Sequence, residues 1–156
     1  MTLTVHIAVG SAIGLATGAP TPAFLLGLVS HHLIDIIPHS DPGSSGATIY
    51  TIMKKKRALT FALLDILCAS ALFLYVMWRT NFAWPVFLGV FGATLPDLID
   101  NSPYWSPFLR KYFPIKFYHD FHETAHYTIR EKKYIWIGVI TQLLVAGAAL
   151  TFFVLK

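Results

Sequence analysis

Two long apolar runs constrain the fold of this chain more than any other feature. Ala58–Trp78 and Tyr134–Leu155 are almost free of charge. Each is long enough for the roughly 20 residues that a helix needs to cross the hydrocarbon core of a bilayer. Charged residues make up 13% of the 156 residues, whereas about 25% is usual in soluble domains. The sequence therefore predicts an integral membrane protein.

Three shorter apolar segments complete the predicted fold: Leu3–Gly18, Pro22–Ile37 and Ala83–Ile99. They lie near the lower limit of ~17 residues for a span, so we expect them to tilt, to be shielded by neighbours or to stop part-way. No stretch alternates with a period of two, which argues against strands. Gly10, Gly14 and Gly18 line one helical face and permit close helix approach. We predict an all-α membrane bundle of about five helices, forming a single domain over residues 1–156.

Basic residues set the expected orientation. Ten of the twelve lysines and arginines precede the third segment or lie between the fourth and fifth, and such clusters face the cytoplasm. We therefore expect a multi-pass protein of the inner (cytoplasmic) membrane, with a cytoplasmic N-terminus and an external C-terminus. Residues 101–133 then form a cytoplasmic loop, in which the aromatic and basic stretch Tyr104–Tyr118 predicts an interfacial helix. An ordinary aromatic belt is the alternative for that stretch. Nucleic acid is not an expected partner, because the flanks of the spans explain the positive charge.

The chemically versatile side chains gather on the cytoplasmic side of this topology. The stretch SHHLIDIIPH puts His31, Asp35 and His39 at four-residue steps, and His32 three residues before Asp35. Residues at these spacings share one face of a helix. Ionisable groups inside a membrane are costly and are functional candidates by default, and imidazole with carboxylate suits Zn²⁺, Mn²⁺ or Fe²⁺. The alternative is a helix end with histidines at the level of the headgroups.

Later stretches supply further candidates. HETAH, residues 122–126, fits H-E-x-x-H, which on a helix gives two zinc ligands and a glutamate base. If residues 117–128 are helical, His122 and His126 share one face. In GATLPDLID, Asp97 is favoured over Asp100 because it lies deeper, while Asp41 is assigned to turn chemistry. His6 and Asp65 are candidate ligands, with a purely structural role as the alternative for each. The predicted metal ligands are His6, His31, His32, Asp35, His39, Asp65, Asp97, His122 and His126, and the predicted catalytic residues are Asp35 and Glu123.

These motifs carry a family resemblance. With His6 before a Gly/Ala-rich helix, SHHLIDIIPH, LPDLID and FHETAH, the sequence resembles the bacterial and archaeal membrane-bound metal-dependent hydrolases, a family of small polytopic proteins. That family commonly shows a Pro-Asp-x-Asp-His stretch, whose last position is Asn101 here, and a His-Arg-Gly-x-Thr-His-Ser stretch, which HETAH replaces. The resemblance implies metal-dependent hydrolysis. The pairs His31-x-x-x-Asp35 and His119-x-x-x-Glu123 also look like ligand pairs of zinc-dependent phospholipase C and related nucleases, which favours phosphoesters.

The sequence thus predicts a membrane-embedded hydrolase that cleaves a phosphoester of a lipid or lipid-linked substrate with water activated by a divalent metal. Zn is the expected ion, with Mn or Fe as alternatives. Two ions are plausible because the candidate ligands outnumber the three or four that one zinc takes. The alternatives are a metal or proton transporter, a metal-stabilised protein without catalysis, and an HExxH metalloprotease. A transporter is disfavoured because its ligands would lie near the midplane in repeated halves.

Overall fold

The computed structural model describes residues 1–45, 47–48 and 50–156, and within these ranges all regular structure is helical. The α-helices are α1 (Leu3–Thr17), α2 (Pro20–Asp35), α3 (Lys56–Arg79), α4 (Trp84–Asp100), α5 (Ser106–Leu109), α6 (Ile115–Ala125) and α7 (Ile135–Leu155). Three short 3₁₀ turns cover Pro42–Ser45, Ile52–Lys54 and Lys132–Tyr134. The predicted all-α class is confirmed, and the five apolar segments coincide with the five longest helices.

Glycine brings α1, α2 and α4 together. A Cβ atom added to Gly10 of α1 would lie 2.6 Å from the carbonyl oxygen of Gly89 in α4, and one added to Gly27 of α2 would meet the same oxygen. Gly14 packs against α4 in the same way, whereas Gly18 ends α1 with a left-handed φ of 60°. Because no side chain separates the backbones, the ends of these three helices are held in fixed relative positions.

The two longest helices, α3 and α7, lie outside this trio and pack against α1. Among the described residues, Lys56–Arg79 and Lys132–Leu155 are the two helical segments long and apolar enough to cross a membrane. Only 11% and 17% of their most apolar windows are buried. Both helices therefore present largely exposed apolar surfaces.

Two loops pair beside the end of α2. The Tyr127 amide donates to the carbonyl of Asp35 at 2.9 Å, and the His39 amide donates to the carbonyl of Tyr127 at 3.2 Å. The Ile129 amide completes the pairing with a 2.8 Å bond to the carbonyl of His39. These bonds tie the chain after α2 to the chain after α6, and they bring His126 next to His39.

The same pairing ends α6 before His126. The helix stops at Ala125, and His126 has an extended backbone with φ −93° and ψ 115°. The condition that residues 117–128 are helical is therefore not met at the C-terminal end, because the Tyr127 amide bonds to Asp35 instead of to α6. An H-E-x-x-H zinc site needs both histidines on one helix, so that arrangement does not form here.

Candidate metal centre

Histidines and aspartates from α1, α2, α4, α6 and the two paired loops converge at one end of the trio. Among the described residues, four sets of candidate ligands have their ligand atoms within 4.8 Å of one another, and two of the four contain Asp35. The other two are His31 with His32 and His122, and Asp100 with His119 and Glu123. We call the first set with Asp35 the inner group; it consists of His31, Asp35, Asp97 and His122. We call the second the loop group; it consists of Asp35, His39 and His126, together with the adjacent Asp41.

The inner group has the spacing of ligands around one ion. His31 Nε2 lies 3.2 Å from His122 Nε2 and 3.2 Å from Asp35 Oδ2, and His122 Nε2 lies 3.7 Å from that oxygen. Asp97 Oδ1 is 3.8 Å and 3.9 Å from the same two nitrogens. Atoms in a tetrahedron about 2.0–2.2 Å from one zinc are separated by about 3.3–3.6 Å. The four side chains therefore need only small shifts to bind an ion.

The loop group repeats this spacing. His39 Nε2 lies 3.3 Å from His126 Nε2 and 3.4 Å from Asp41 Oδ2. His126 Nε2 is 3.6 Å from Asp35 Oδ2 and 3.7 Å from Asp41 Oδ2. Because Asp35 Oδ2 belongs to both groups, the two lie side by side and share one carboxylate.

Four histidines of these groups are anchored through Nδ1, while Nε2 faces the carboxylate of Asp35 in three of them and that of Asp41 in His39. An acceptor on Nδ1 places the proton there and leaves the lone pair on Nε2, which is how metal-binding histidines are usually oriented. The partners of Nδ1 are the carbonyl of Ala93 for His31 (2.8 Å), the carbonyl of Ile37 for His39 (2.8 Å), the carboxylate of Asp100 for His122 (3.1 Å) and the hydroxyl of Thr128 for His126 (3.0 Å).

Several buried nitrogen and oxygen atoms of this cluster have no hydrogen-bond partner among the described residues, and such atoms indicate whether the cluster fits a metal ion. Asp35 Oδ2 and both ring nitrogens of His6 make no hydrogen bond with any described residue, and both side chains are fully buried. His6 Nε2 lies 3.3 Å from Asp35 Oδ1, which also contacts the Met1 amino group, and 3.7 Å from Asp97 Oδ2. An unsatisfied buried polar group costs about 1–3 kcal/mol. A cation satisfies carboxylate oxygens and imidazole lone pairs together, so the donor set fits a divalent metal.

The pKa values of three cluster residues outside the candidate membrane helices show which charges the site favours. Burial lowers the pKa of His126 to about 4, which keeps its imidazole neutral and able to bind a metal. Burial raises the pKa of Asp41, but its interactions with His39 and the Thr128 hydroxyl outweigh burial and lower the pKa to about 2. For His122 burial lowers the pKa, but the carboxylates of Asp100 and Asp35 outweigh it and raise the pKa to about 9. Without an ion, these carboxylates therefore favour the protonated imidazolium of His122, and a metal at Nε2 would take the place of that proton.

Asp65 lies apart from both groups, although the sequence puts it among the ligands. Its Oδ2 accepts a hydrogen bond from the Leu3 amide at 2.7 Å, and its Oδ1 accepts bonds from the Thr4 amide at 3.1 Å and the Thr4 hydroxyl at 2.6 Å. It thereby caps the first turn of α1 from the neighbouring helix α3. Both of its oxygens are satisfied, so its contacts are those of the structural alternative.

Glu123, predicted as a catalytic base, is also outside the two groups. Its side chain is exposed on α6 and falls in a separate set with Asp100 and His119. His32 lies at the edge of the inner group: its ring is 5.6 Å from that of His122, and its Nδ1 makes no hydrogen bond with the described residues. The remaining predicted ligands, including His6, are brought together around Asp35.

Sequence reasoning underrated Asp100. Its buried carboxylate accepts hydrogen bonds from Arg110 Nε at 2.7 Å and from His119 Nδ1 at 2.9 Å, and it orients His122. Asp97 and Asp100 are three residues apart at the end of α4, so both point toward the cluster. Asp97 faces the Nε2 atoms of His31 and His122, whereas Asp100 accepts a hydrogen bond from Nδ1 of His122.

Asp41 was also underrated, because it performs two tasks with two oxygens. Its Oδ1 accepts a bond from the Ser44 amide at 3.1 Å, which is the predicted turn chemistry. Its Oδ2 faces His39 and His126 in the loop group. The signal in the sequence is its position two residues after His39.

Comparison of the chain with protein-family models, with curated proteins and with solved structures found no match.

Proposed function

We propose that this chain is a membrane-embedded, metal-dependent hydrolase that cleaves a phosphoester. The observation that carries the proposal is the buried Oδ2 of Asp35, which makes no hydrogen bond with the described residues although the Nε2 atoms of His31, His122 and His126 lie 3.2, 3.7 and 3.6 Å away. Acceptor atoms crowd around one point there, and none of the described residues donates a hydrogen bond to that oxygen. A divalent cation at that point resolves the conflict.

Each group would hold one ion, with Asp35 shared between them. A divalent ion bound there would polarise a phosphoryl oxygen and lower the pKa of water to about 7. The carbonyl of Ala93 and the carboxylate of Asp100 hold His31 and His122 in the orientation that binding requires. These partners reduce the reorganisation needed during turnover.

Exposure suggests where the substrate enters and where a proton goes. Asp35 and His31 are fully buried, whereas the side chains of Asp97, Asp41 and His126 are 17%, 11% and 19% exposed. The phosphoester approaches on that accessible side. Asp97 is the carboxylate best placed to accept the proton of the attacking water, because one of its oxygens faces the inner group while its side chain remains accessible.

The membrane setting is part of the proposal. The exposed apolar surfaces of α3 and α7 support two spans, and close packing with α4 supports shielding of the shorter α1 and α2. Lys56 and Arg57 begin α3, and Lys132 and Lys133 precede α7. These cations lie at the N-terminal ends of α3 and α7. By the positive-inside rule, those ends face the cytoplasm. Phe117 and Phe121 of α6 are 70% and 51% exposed and suit the interface with lipid.

A turnover assay tests the proposal. The full-length protein, purified in detergent and loaded with Zn²⁺ or Mn²⁺, is expected to release phosphate from phospholipids, polyprenyl phosphates or a soluble aryl phosphate. Asp35→Ala is expected to abolish release, while Asp65→Asn retains it, because Asp65 contacts only the start of α1. Metal-loaded wild-type protein that releases phosphate from none of these substrates would leave a metal-stabilised protein without this activity.

A further inference from the structure

A large cavity joins the metal groups to an apolar wall. Its volume is about 1840 Å³, and Asp41, Asp97 and His126 line one part of it, while Phe73 and Phe87 line another. The same space therefore touches side chains of both groups and the facing surfaces of α3 and α4. Any molecule that fills it must be polar at one end and apolar along the rest.

The two walls are single helix faces. On α3 the lining residues Ile66, Ser70 and Phe73 recur at steps of four and three, and on α4 Phe87 and Phe91 are four apart. Such spacings keep residues on one side of a helix. The cavity is thus a cleft that follows both helix axes.

The cleft closes at the end far from the metal groups. There the rings of Phe73 and Phe87 are 6.4 Å apart, and Val76 and Val86 are buried in one core cluster. The ten residues from Phe87 to Asp97 correspond to about 15 Å along α4. The cleft therefore provides a tapered apolar channel of that length, leading away from the ligand atoms.

The chemistry of the walls selects a hydrocarbon. Thr94 is one of the few polar residues along the α4 wall, and its hydroxyl already donates to the carbonyl of Val90 at 2.9 Å. On the α3 wall Ser70 adds one hydroxyl, and Asp65 already accepts hydrogen bonds from Leu3 and Thr4. A base or sugar would therefore bury most of its polar atoms there without partners, at a cost. Ile66 and Leu74, which also line the cleft, are 50% and 66% exposed. The side of the cleft is consequently open to the surrounding lipid.

We infer that the cleft between α3 and α4 receives the hydrocarbon chain of a lipid phosphate whose phosphate lies at the metal groups. The inference rests on the proposed function for the phosphate end and adds the site of the chain. It makes the substrate an amphiphile that enters sideways from the membrane with one chain along Phe91 and Phe73. Water-soluble phosphoesters leave the apolar part of the cleft unfilled.

Binding of two alkyl phosphates to the metal-loaded full-length protein in nanodiscs tests the inference. Ser70 and Ala71 are small, exposed neighbours on α3, but only Ser70 lines the cleft. Ser70→Phe fills the cleft, and Ala71→Phe adds the same side chain beside it. Wild type and Ala71→Phe are expected to bind dodecyl phosphate at least about tenfold more tightly than ethyl phosphate, because the longer chain buries more methylene groups. Ser70→Phe is expected to lose that preference while its metal content and its affinity for ethyl phosphate stay unchanged.

The comparison of the two variants removes the effect of chain partitioning into lipid, which both share. Equal preference in Ser70→Phe and Ala71→Phe, or equal affinity of wild type for the two phosphates, would overturn the inference. Should Ser70→Phe lose metal through misfolding, Phe73→Ala supplies the second measurement: it removes the end wall, so the preferred chain is expected to lengthen from dodecyl toward hexadecyl, and an unchanged preference would overturn the inference. Failure of the proposed function has a different signature, namely chain-length preference without phosphate release.

Discussion

Asp35 and Asp65 are both single aspartates in apolar helices, yet their surroundings are opposite. Asp65 faces donors: the amides of Leu3 and Thr4 and the Thr4 hydroxyl satisfy its two oxygens. Asp35 Oδ2 faces lone pairs, because the nearby Nε2 atoms belong to histidines such as His31 whose Nδ1 already has an acceptor. Asp35 is also fully buried, whereas Asp65 is only partly buried. Burial and partners together therefore separate Asp65, whose contacts are those of a helix cap, from Asp35, the proposed shared ligand.

The largest expected effect comes from removing the shared carboxylate. Asp35→Ala should weaken binding of the metals by more than about 100-fold, because even changes behind the ligands cost about 10–100-fold. Asp65→Ala should leave metal affinity unchanged. Competition with a chromophoric chelator measures both variants. If Asp35→Ala and Asp65→Ala lost metal affinity equally, the proposed difference between a ligand at Asp35 and a structural residue at Asp65 would be refuted.

Asp100 combines features of Asp65 and Asp35. It accepts a hydrogen bond from Arg110, as a structural aspartate does, and it also orients the candidate ligand His122. Asp100→Asn is expected to weaken metal binding by about 10–100-fold, the range found for carboxylates behind a histidine ligand. Asp120→Asn is the control, because Asp120 is an exposed acid on α6 outside the candidate ligand groups. Isothermal titration of Zn²⁺ into the metal-free variants compares them, and identical affinities would refute the supporting role of Asp100.

Asp35 and Asp65 both contact residues of α1. The position of α1 in turn depends on its close contact with α4. Gly89→Ala puts a Cβ against the carbonyl of Gly10, so we expect a loss of about 1–3 kcal/mol in stability from overpacking. Gly147→Ala in α7 meets no atom within 4 Å, and it should be neutral or stabilising by up to about 1 kcal/mol. Thermal unfolding followed by circular dichroism in detergent tests the pair. A Gly89→Ala protein as stable as wild type would contradict the packing described here.

The smallest effect is expected at the cap of α1. Asp65→Ala removes the acceptors for the Leu3 and Thr4 amides and should cost about 0.5–2 kcal/mol of stability, as loss of a helix cap does. Chemical denaturation in mixed micelles measures this loss. Unchanged stability combined with lost metal would assign Asp65 to the metal centre after all.

Much of the architecture was predictable from hydropathy. The five apolar segments predict the five longest helices. The glycine spacing in α1 predicts close approach of a neighbouring helix, and Gly10 and Gly14 make that approach with α4. The gathering of histidines and acids at one end was equally visible, because helix ends fix which side of the bundle each residue reaches. His31 and Asp35 lie on one face of α2 as their spacing requires.

Other features depend on tertiary contacts that one sequence does not encode locally. The pairing of Tyr127 with the end of α2 stops α6 and turns His126 into the loop group, so helical periodicity gave the wrong geometry for residues 122–126. The sequence left both roles open for Asp65, because the N-terminus of α1 meets the middle of α3 only after folding. The contact of Asp41 with His126 could not be predicted, because the pairing of the two loops brings these residues together.

The most direct test of the account is the metal content of the wild-type, full-length protein purified without chelators, measured by inductively coupled plasma mass spectrometry. The structure around Asp35 predicts one or two equivalents of a divalent transition metal per chain, retained through dialysis. Less than a tenth of an equivalent, with no uptake of added Zn²⁺, Mn²⁺ or Fe²⁺, would contradict it. The buried lone pairs of the inner and loop groups would then need a different explanation.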